Sequence, residues 1–206
     1  MDARDSKKAQ QRQKILDSAR LVFFRDGFMQ ANLDEVARLA GVAKGTLYRY
    51  FENKADMYVA ILAQNGQAFE ERMRAAASES GPASERLRSI SRFYLSHWME
   101  HREYFQIFWA LENESVIGDL PSEIVDDVTK LWDQCLHILE GLIKDGVAAG
   151  EFVDCDAWTI SNILWTAANG LIQTELVAPR REMRGKPIEQ VFDEMVVLFL
   201  RGLAKA

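Results

Sequence analysis

Asn32-Leu-Asp-Glu-Val-Ala-Arg-Leu-Ala-Gly41-Val-Ala-Lys44-Gly-Thr-Leu-Tyr-Arg-Tyr-Phe51-Glu-Asn-Lys54 reads as two short helices joined by a tight turn. Asn32 is placed to cap the first helix, and Glu35, three residues on, to complete a capping box. Val36, Ala37 and Ala40 recur at helical spacing and give that helix one apolar face. Gly41 stands where a left-handed conformation ends a helix at least cost. In the second helix Leu47 and Phe51, four apart, face inward. That leaves Lys44, Thr46, Tyr48, Arg49 and Tyr50 outward, with Lys54 just beyond. Such an order is the plan of a helix-turn-helix.

The outward set has the chemistry of a duplex-reading surface. Lys and Arg neutralise phosphates, Thr and Tyr hydroxyls bond phosphate oxygens or base edges, and Gly45 allows the backbone a close approach. The candidate DNA contacts are therefore Asn32, Lys44, Gly45, Thr46, Tyr48, Arg49, Tyr50 and Lys54. Tyr48 and Tyr50 cannot both share the face of Leu47 and Phe51, so at least one is expected outside.

Lys44-Gly-Thr-Leu-Tyr-Arg-Tyr-Phe51 with Asn53-Lys54 resembles the recognition-helix signature of TetR-family transcriptional regulators, and Leu33 to Val42 resembles their first motif helix. The resemblance covers about a quarter of the chain. It departs at Ala43, where the family usually has a capping Ser or Thr; losing such a cap weakens a helix start by about 1 kcal/mol.

Charge is distributed as that resemblance implies. The net charge is −6, yet residues 1–54 hold 11 Lys and Arg against 7 Asp and Glu, a balance of +4. The rest of the chain holds 14 against 24, a balance of −10. A basic head on an acidic body suits a protein of which only the head meets DNA. Cys135 and Cys155 are too few for a disulfide framework or a zinc site. The opening residues are polar and carry no signal-peptide pattern, so a cytoplasmic protein is expected.

The periodicity predicts an all-α chain. A first helix from Lys8 to Asp26 follows a disordered Met1–Ser6 and completes a three-helix head. A long helix, 56–80, leads into the body, where helices are expected at 84–101, 102–115, 122–149, 157–177 and 188–203, with a charged connection over 179–187. The expected domains are a helix-turn-helix DNA-binding domain, 1–54, and a helical ligand-binding and dimerisation domain, 55–206. Ala157–Thr174 is uncharged over 18 residues, but seven of them are Ser, Thr, Asn or Gln, too many for a lipid-facing span.

The last helix is apolar on more than one side, so part of it must be buried elsewhere. The family resemblance implies pairing of the last two helices across a two-fold axis, with Ala167, Ala168, Leu171, Val196, Phe199 and Leu203 as the candidate interface. A helix central to its own monomer is the alternative. Trp158, Asn162, Trp165 and Asn169, spaced 4, 3 and 4, mix aromatic faces with amides as small-molecule sites do. With Trp98, Phe105, Trp109 and Trp132 they form the candidate ligand set; an ordinary aromatic core is the alternative. Glu112, Glu114 and Glu175 are candidate partners of a cationic ligand or simply solvated.

His97 and His101 are four apart, but no third metal ligand is evident. No nucleophile–base motif or phosphate-binding loop appears, so neither an enzyme nor a metal or cofactor site is expected. The resemblance implies a homodimeric regulator of a palindromic operator, most often a repressor, released by a small apolar or amphipathic inducer of unknown identity. An architectural DNA-binding dimer without inducer is the other reading.

Overall fold

The computed structural model describes residues 3–110 and 122–205, without the side chains at 3–4, 107–110, 123–124 and 127–128. Expectations for the Trp109 side chain, Glu112, Glu114 and the connection before Ser122 fall outside the described residues. Ten helices are present among the described residues: α1 Ala3–Gln30, α2 Leu33–Ala40, α3 Lys44–Leu47, α4 Lys54–Ala77, α5 Ala83–Glu100, α6 Arg102–Ala110, α7 Ser122–Ala148, α8 Ala157–Leu176, α9 Ala178–Arg184 and α10 Ile188–Leu203. The extended backbone pairing found among these residues is a single bridge, Phe152 with Ala204. The chain is all-α.

The described residues form two compact units. One holds the chain up to Gln67 together with Glu103–Val128, and the other holds Ala68–Arg102 and everything from Thr129 on. Compactness thus groups the first half of α4, and α6, with the head.

In the first unit α1 starts at Ala3, so residues 3–6 of the expected disordered opening are helical instead. No glycine or proline interrupts the chain before Gly27, and Asp5 lies in the first turn, where a negative charge suits the helix dipole. Gly27, at φ 73° and ψ 169°, breaks the helical path, and the chain resumes a short turn beyond it. Ile15, Leu16, Ala19, Val22 and Phe23 form the buried stripe of α1. The Tyr58 ring on α4 meets Phe23 at 5.1 Å and Phe28 at 5.0 Å, both edge-on.

In the second unit α10 packs on α8 and α5, and α5 on α8. The expected stripe of α5, Leu87, Ile90, Tyr94 and Trp98, is buried. Its N-terminus is capped from a distance: the Glu151 carboxylate accepts from the Ala83 N–H at 2.8 Å, the Ser84 N–H at 3.3 Å and the Ser84 hydroxyl at 3.2 Å. These bonds hold Glu151 below the usual carboxylate range, the Ala83 contact contributing most. Gly146 is glycine by necessity, since a Cβ there would run into the Phe152 ring.

The expected charged connection contains α9. Arg184 on it donates to Glu175, both side chains almost fully buried, and to the Thr174 hydroxyl at 2.8 Å. Glu175 is therefore neither a solvated face nor a free partner for a cationic ligand.

Candidate DNA-reading surface and effector-binding body

The head builds its outer surface from a firm scaffold. Asn32 Oδ1 accepts from the Asp34 N–H at 2.8 Å and caps α2, as expected. The capping box does not form. Glu35 instead receives Arg25 from α1 at 3.1 and 2.7 Å, while the same guanidinium holds Asp26 at 2.7 Å. A two-pronged charged bond outcompetes one backbone donor for the Glu35 carboxylate. Arg25 depresses the titration of both carboxylates. At the other end Gly41, φ 66°, donates to Arg38 O, and Val42 N–H reaches Ala37 O at 3.0 Å.

One turn later α3 starts without a side-chain cap, because Ala43 has none to offer. Leu47 and Phe51 are buried and fix its inward face. Tyr48 is 50% exposed and Arg49 is exposed; Thr46 and Tyr50 are half-buried. A Cβ on Gly45 would meet nothing within 4 Å, so its backbone lies open to a partner. Lys44 is exposed and bonds Asp34 at 2.9 Å across the motif, a pairing that raises its affinity for the proton.

Lys54 departs from expectation. Its ammonium donates to the Met29 carbonyl at 3.0 Å and sits 5.2 Å from the Phe28 ring centroid. Burial lowers its proton affinity. It ties the start of α4 to the end of α1 rather than standing free for a phosphate.

Within the second unit the described candidate ligand residues do not converge on one site. Trp165 lines an apolar cavity of about 20 Å³ with Met73, Tyr94, Leu139 and Phe192, room for one water molecule. Beside it the Tyr94 hydroxyl donates to Asn169 Oδ1 at 2.5 Å. Trp158 is 37% exposed and packs on His137 at 5.0 Å, and the Asn162 amide turns back to the Trp158 carbonyl at 2.9 Å. The expected stripe thus splits, its first half looking outward. Trp132 is half-exposed, and Phe105 is buried in the other unit. Trp98 joins Phe69 and His97 in an aromatic cluster, with ring centroids 5.1 and 4.9 Å away.

The sequence pattern did not single out His97 as a buried polar group. It is 3% exposed, and neither ring nitrogen has a hydrogen-bond partner. Among the described residues no three His, Cys, Asp or Glu side chains gather as a metal site would require.

The interface candidates divide as well. Ala168, Val196 and Leu203 are buried within their own unit. Ala167, Leu171 and Phe199, with Gly170, Met195 and Leu198, line an open, mainly apolar groove of about 520 Å³ on α8 and α10. Successive turns of α10 send Phe192, Val196, Leu200 and Leu203 inward, so the groove takes the adjacent stripe. Leu198 is 66% exposed there. No helix among the described residues is long and apolar enough to cross a membrane.

Comparison with known proteins agrees with this architecture. Residues 15–61 match the family described as "Bacterial regulatory proteins, tetR family", and residues 80–173 match the "Tetracyclin repressor-like, C-terminal domain". A Bacillus subtilis fatty acid metabolism regulator protein is 27% identical over 143 residues, 67% of this chain and 69% of its own length. The transcriptional repressor BepR of Brucella suis is 27% identical over 167 residues, 80% of this chain and 79% of its own. The solved structure of the Bacillus subtilis regulator FadR in complex with stearoyl-CoA superposes with a TM-score of 0.76 at 22% identity, covering 92% of this chain and 98% of that one. With its helix-turn-helix and its helical body both matched, the chain belongs to the TetR family of DNA-binding transcriptional regulators.

Proposed function

We propose that the protein is a homodimeric repressor that leaves a palindromic operator when a long-chain acyl ligand occupies its body. Residues 1–54 carry operator binding, and residues 55–206 carry dimerisation and the ligand. The observation that carries this reading is the pairing of an outward Tyr48–Arg49 surface on α3 with an open apolar groove on α8 and α10. A second copy on that groove removes apolar area from water and presents two reading surfaces to one duplex. The two surfaces must then sit about 34–36 Å apart to meet successive major-groove faces.

The acyl class is supported by the fatty acid regulator of Bacillus subtilis and by the stearoyl-CoA in the related solved structure. It also suits a body rich in Phe, Trp and Met. The cavity of about 20 Å³ beside Trp165 admits no such ligand, so a ligand entering there selects a more open body. The helix α4 runs covalently from the head into the second unit and is the path by which that opening reaches α3. The small size of the cavity beside Trp165 is what favours the second reading, an architectural dimer with no effector.

The two readings separate in one experiment. Duplexes enriched by the protein from a random pool are labelled, bound and challenged with palmitoyl-CoA while anisotropy is followed. Release at low micromolar ligand supports the repressor; retention of DNA at every soluble ligand concentration supports the architectural reading.

A further inference from the structure

His97 lies in the middle of α5 and is almost wholly removed from solvent, yet both of its ring nitrogens lack a hydrogen-bond partner. A buried donor and acceptor left unmade work against folding, and native proteins leave few of them. The surroundings offer no relief. Phe69 stands 4.7 Å away between ring centroids, Phe93 5.7 Å and Trp98 4.9 Å. These are apolar walls.

One side differs. The His101 ring lies 4.6 Å from that of His97 and is half-exposed, and the exposed Arg72 guanidinium sits 4.8 Å from the Phe93 centroid. A cation at the rim, an imidazole beneath it and aromatic walls around them form a graded site. Such a gradient matches a molecule with an anionic head, a polar carbonyl and a long apolar tail.

We propose that His97 is the ligand-anchoring residue of the body, donating a ring N–H to the carbonyl oxygen of a long-chain acyl compound whose anionic head lies toward Arg72. This rests on the acyl reading of the body given above and names the residue that recognises the acyl group. Burial, with lesser contributions from His101 and Arg72, pushes the His97 titration down to about 4. The ring is therefore neutral near pH 7, with one N–H to give and one lone pair. A neutral donor suits a carboxylate or thioester carbonyl and gives nothing to a cationic ligand. The same carbonyl chemistry occurs in a free fatty acid and in an acyl-CoA, and the two are separable by experiment.

Trp98, in contact with His97, makes tryptophan fluorescence the readout. The full-length protein and its His97→Phe and His97→Gln variants are titrated with palmitate and, separately, with palmitoyl-CoA, and the Tm of each apo protein is measured. His97→Phe should fold with a Tm at or above that of the wild type and bind the acyl ligand at least tenfold more weakly. His97→Gln, which keeps a neutral donor, should stay within a few-fold of the wild type. Binding of palmitate assigns the oxygen to a carboxylate; binding of palmitoyl-CoA alone assigns it to a thioester. Should Phe prove too large to fold, His97→Leu carries the same comparison. Wild-type affinity in the Phe or Leu variant overturns the proposal while leaving the acyl reading intact. Failure of the wild type to bind either ligand overturns both.

Discussion

The Tyr94 hydroxyl on α5 donates to the Asn169 side-chain oxygen on α8 at 2.5 Å, with both residues buried. The bond stands beside the small cavity lined by Tyr94 and Trp165, so it fastens together the two helices that a ligand would have to part. Asn169 is thereby a structural partner of Tyr94 rather than a free amide awaiting an occupant.

Asn169→Leu should therefore lower stability by about 1–3 kcal/mol, the usual consequence of stranding a buried hydroxyl. Tyr94→Phe, which removes the donor and keeps the ring, should destabilise less. Thermal or urea unfolding of the two variants measures the difference; equal losses would mean that stranding the Asn169 oxygen costs as much as stranding the Tyr94 hydroxyl.

Tyr48→Ala and Lys44→Ala should each weaken binding of the preferred duplex by about 1–3 kcal/mol with the fold unchanged. Both side chains are exposed on the reading surface. Electrophoretic shift titrations test this, and normal binding by both variants would move the contacts off α3.

Lys54→Ala acts by another route. Its amine is held by Met29 and Phe28, so the variant should lose about 1–2 kcal/mol of head stability. Its salt dependence of DNA binding should match that of the wild type. A salt slope reduced by about one would show that Lys54 leaves Met29 to neutralise a phosphate.

Leu198→Glu or Phe199→Glu should yield folded monomers, because a charge placed in a two-fold interface faces its own copy. Val196→Glu should unfold the second unit instead, since Val196 is 1% exposed within its own protomer. Sedimentation and circular dichroism together distinguish the two outcomes.

The Arg184–Glu175 pair supplies a test of α9. Removing one member of a buried ion pair typically costs about 3–5 kcal/mol, and Arg184→Ala should approach that figure while loosening α9 from α8. Glu151 adds a pH dependence. Its carboxyl titrates lower in the folded protein than in the unfolded chain, so its contribution is complete above the ordinary carboxylate range. That contribution is lost as pH falls through the folded-state value. Glu151→Gln should flatten the acid limb of the stability curve.

Much of this was legible in the sequence, for identifiable reasons. Local signals act over one or two turns: the Asn32 cap, the Gly41 turn, the inward Leu47 and Phe51 and the bounds of α10 at Ile188 and Leu203 all follow from spacing. What escaped depends on partners far along the chain. Glu35 was drawn from its capping box by Arg25, ten residues upstream, and Glu151 caps a helix that begins at Ala83. The short α9 was hidden by its charge, because the burial of Arg184 depends on Glu175 from the preceding helix. A helical stripe tells which residues share a face but not where the neighbouring helix ends, and so Trp158 and Asn162 emerged on the surface while Asn169 stayed inside.

The central claim, that two copies joined through α8 and α10 read a palindrome through α3, is tested most directly by selection from a random duplex pool followed by mass measurement of the complex. Wild-type protein should enrich an inverted repeat whose half-sites lie about one helical turn apart, or a multiple of it, and each duplex should carry an even number of protomers. Enrichment of a single asymmetric site occupied by one protomer, or no enrichment at all, would contradict it.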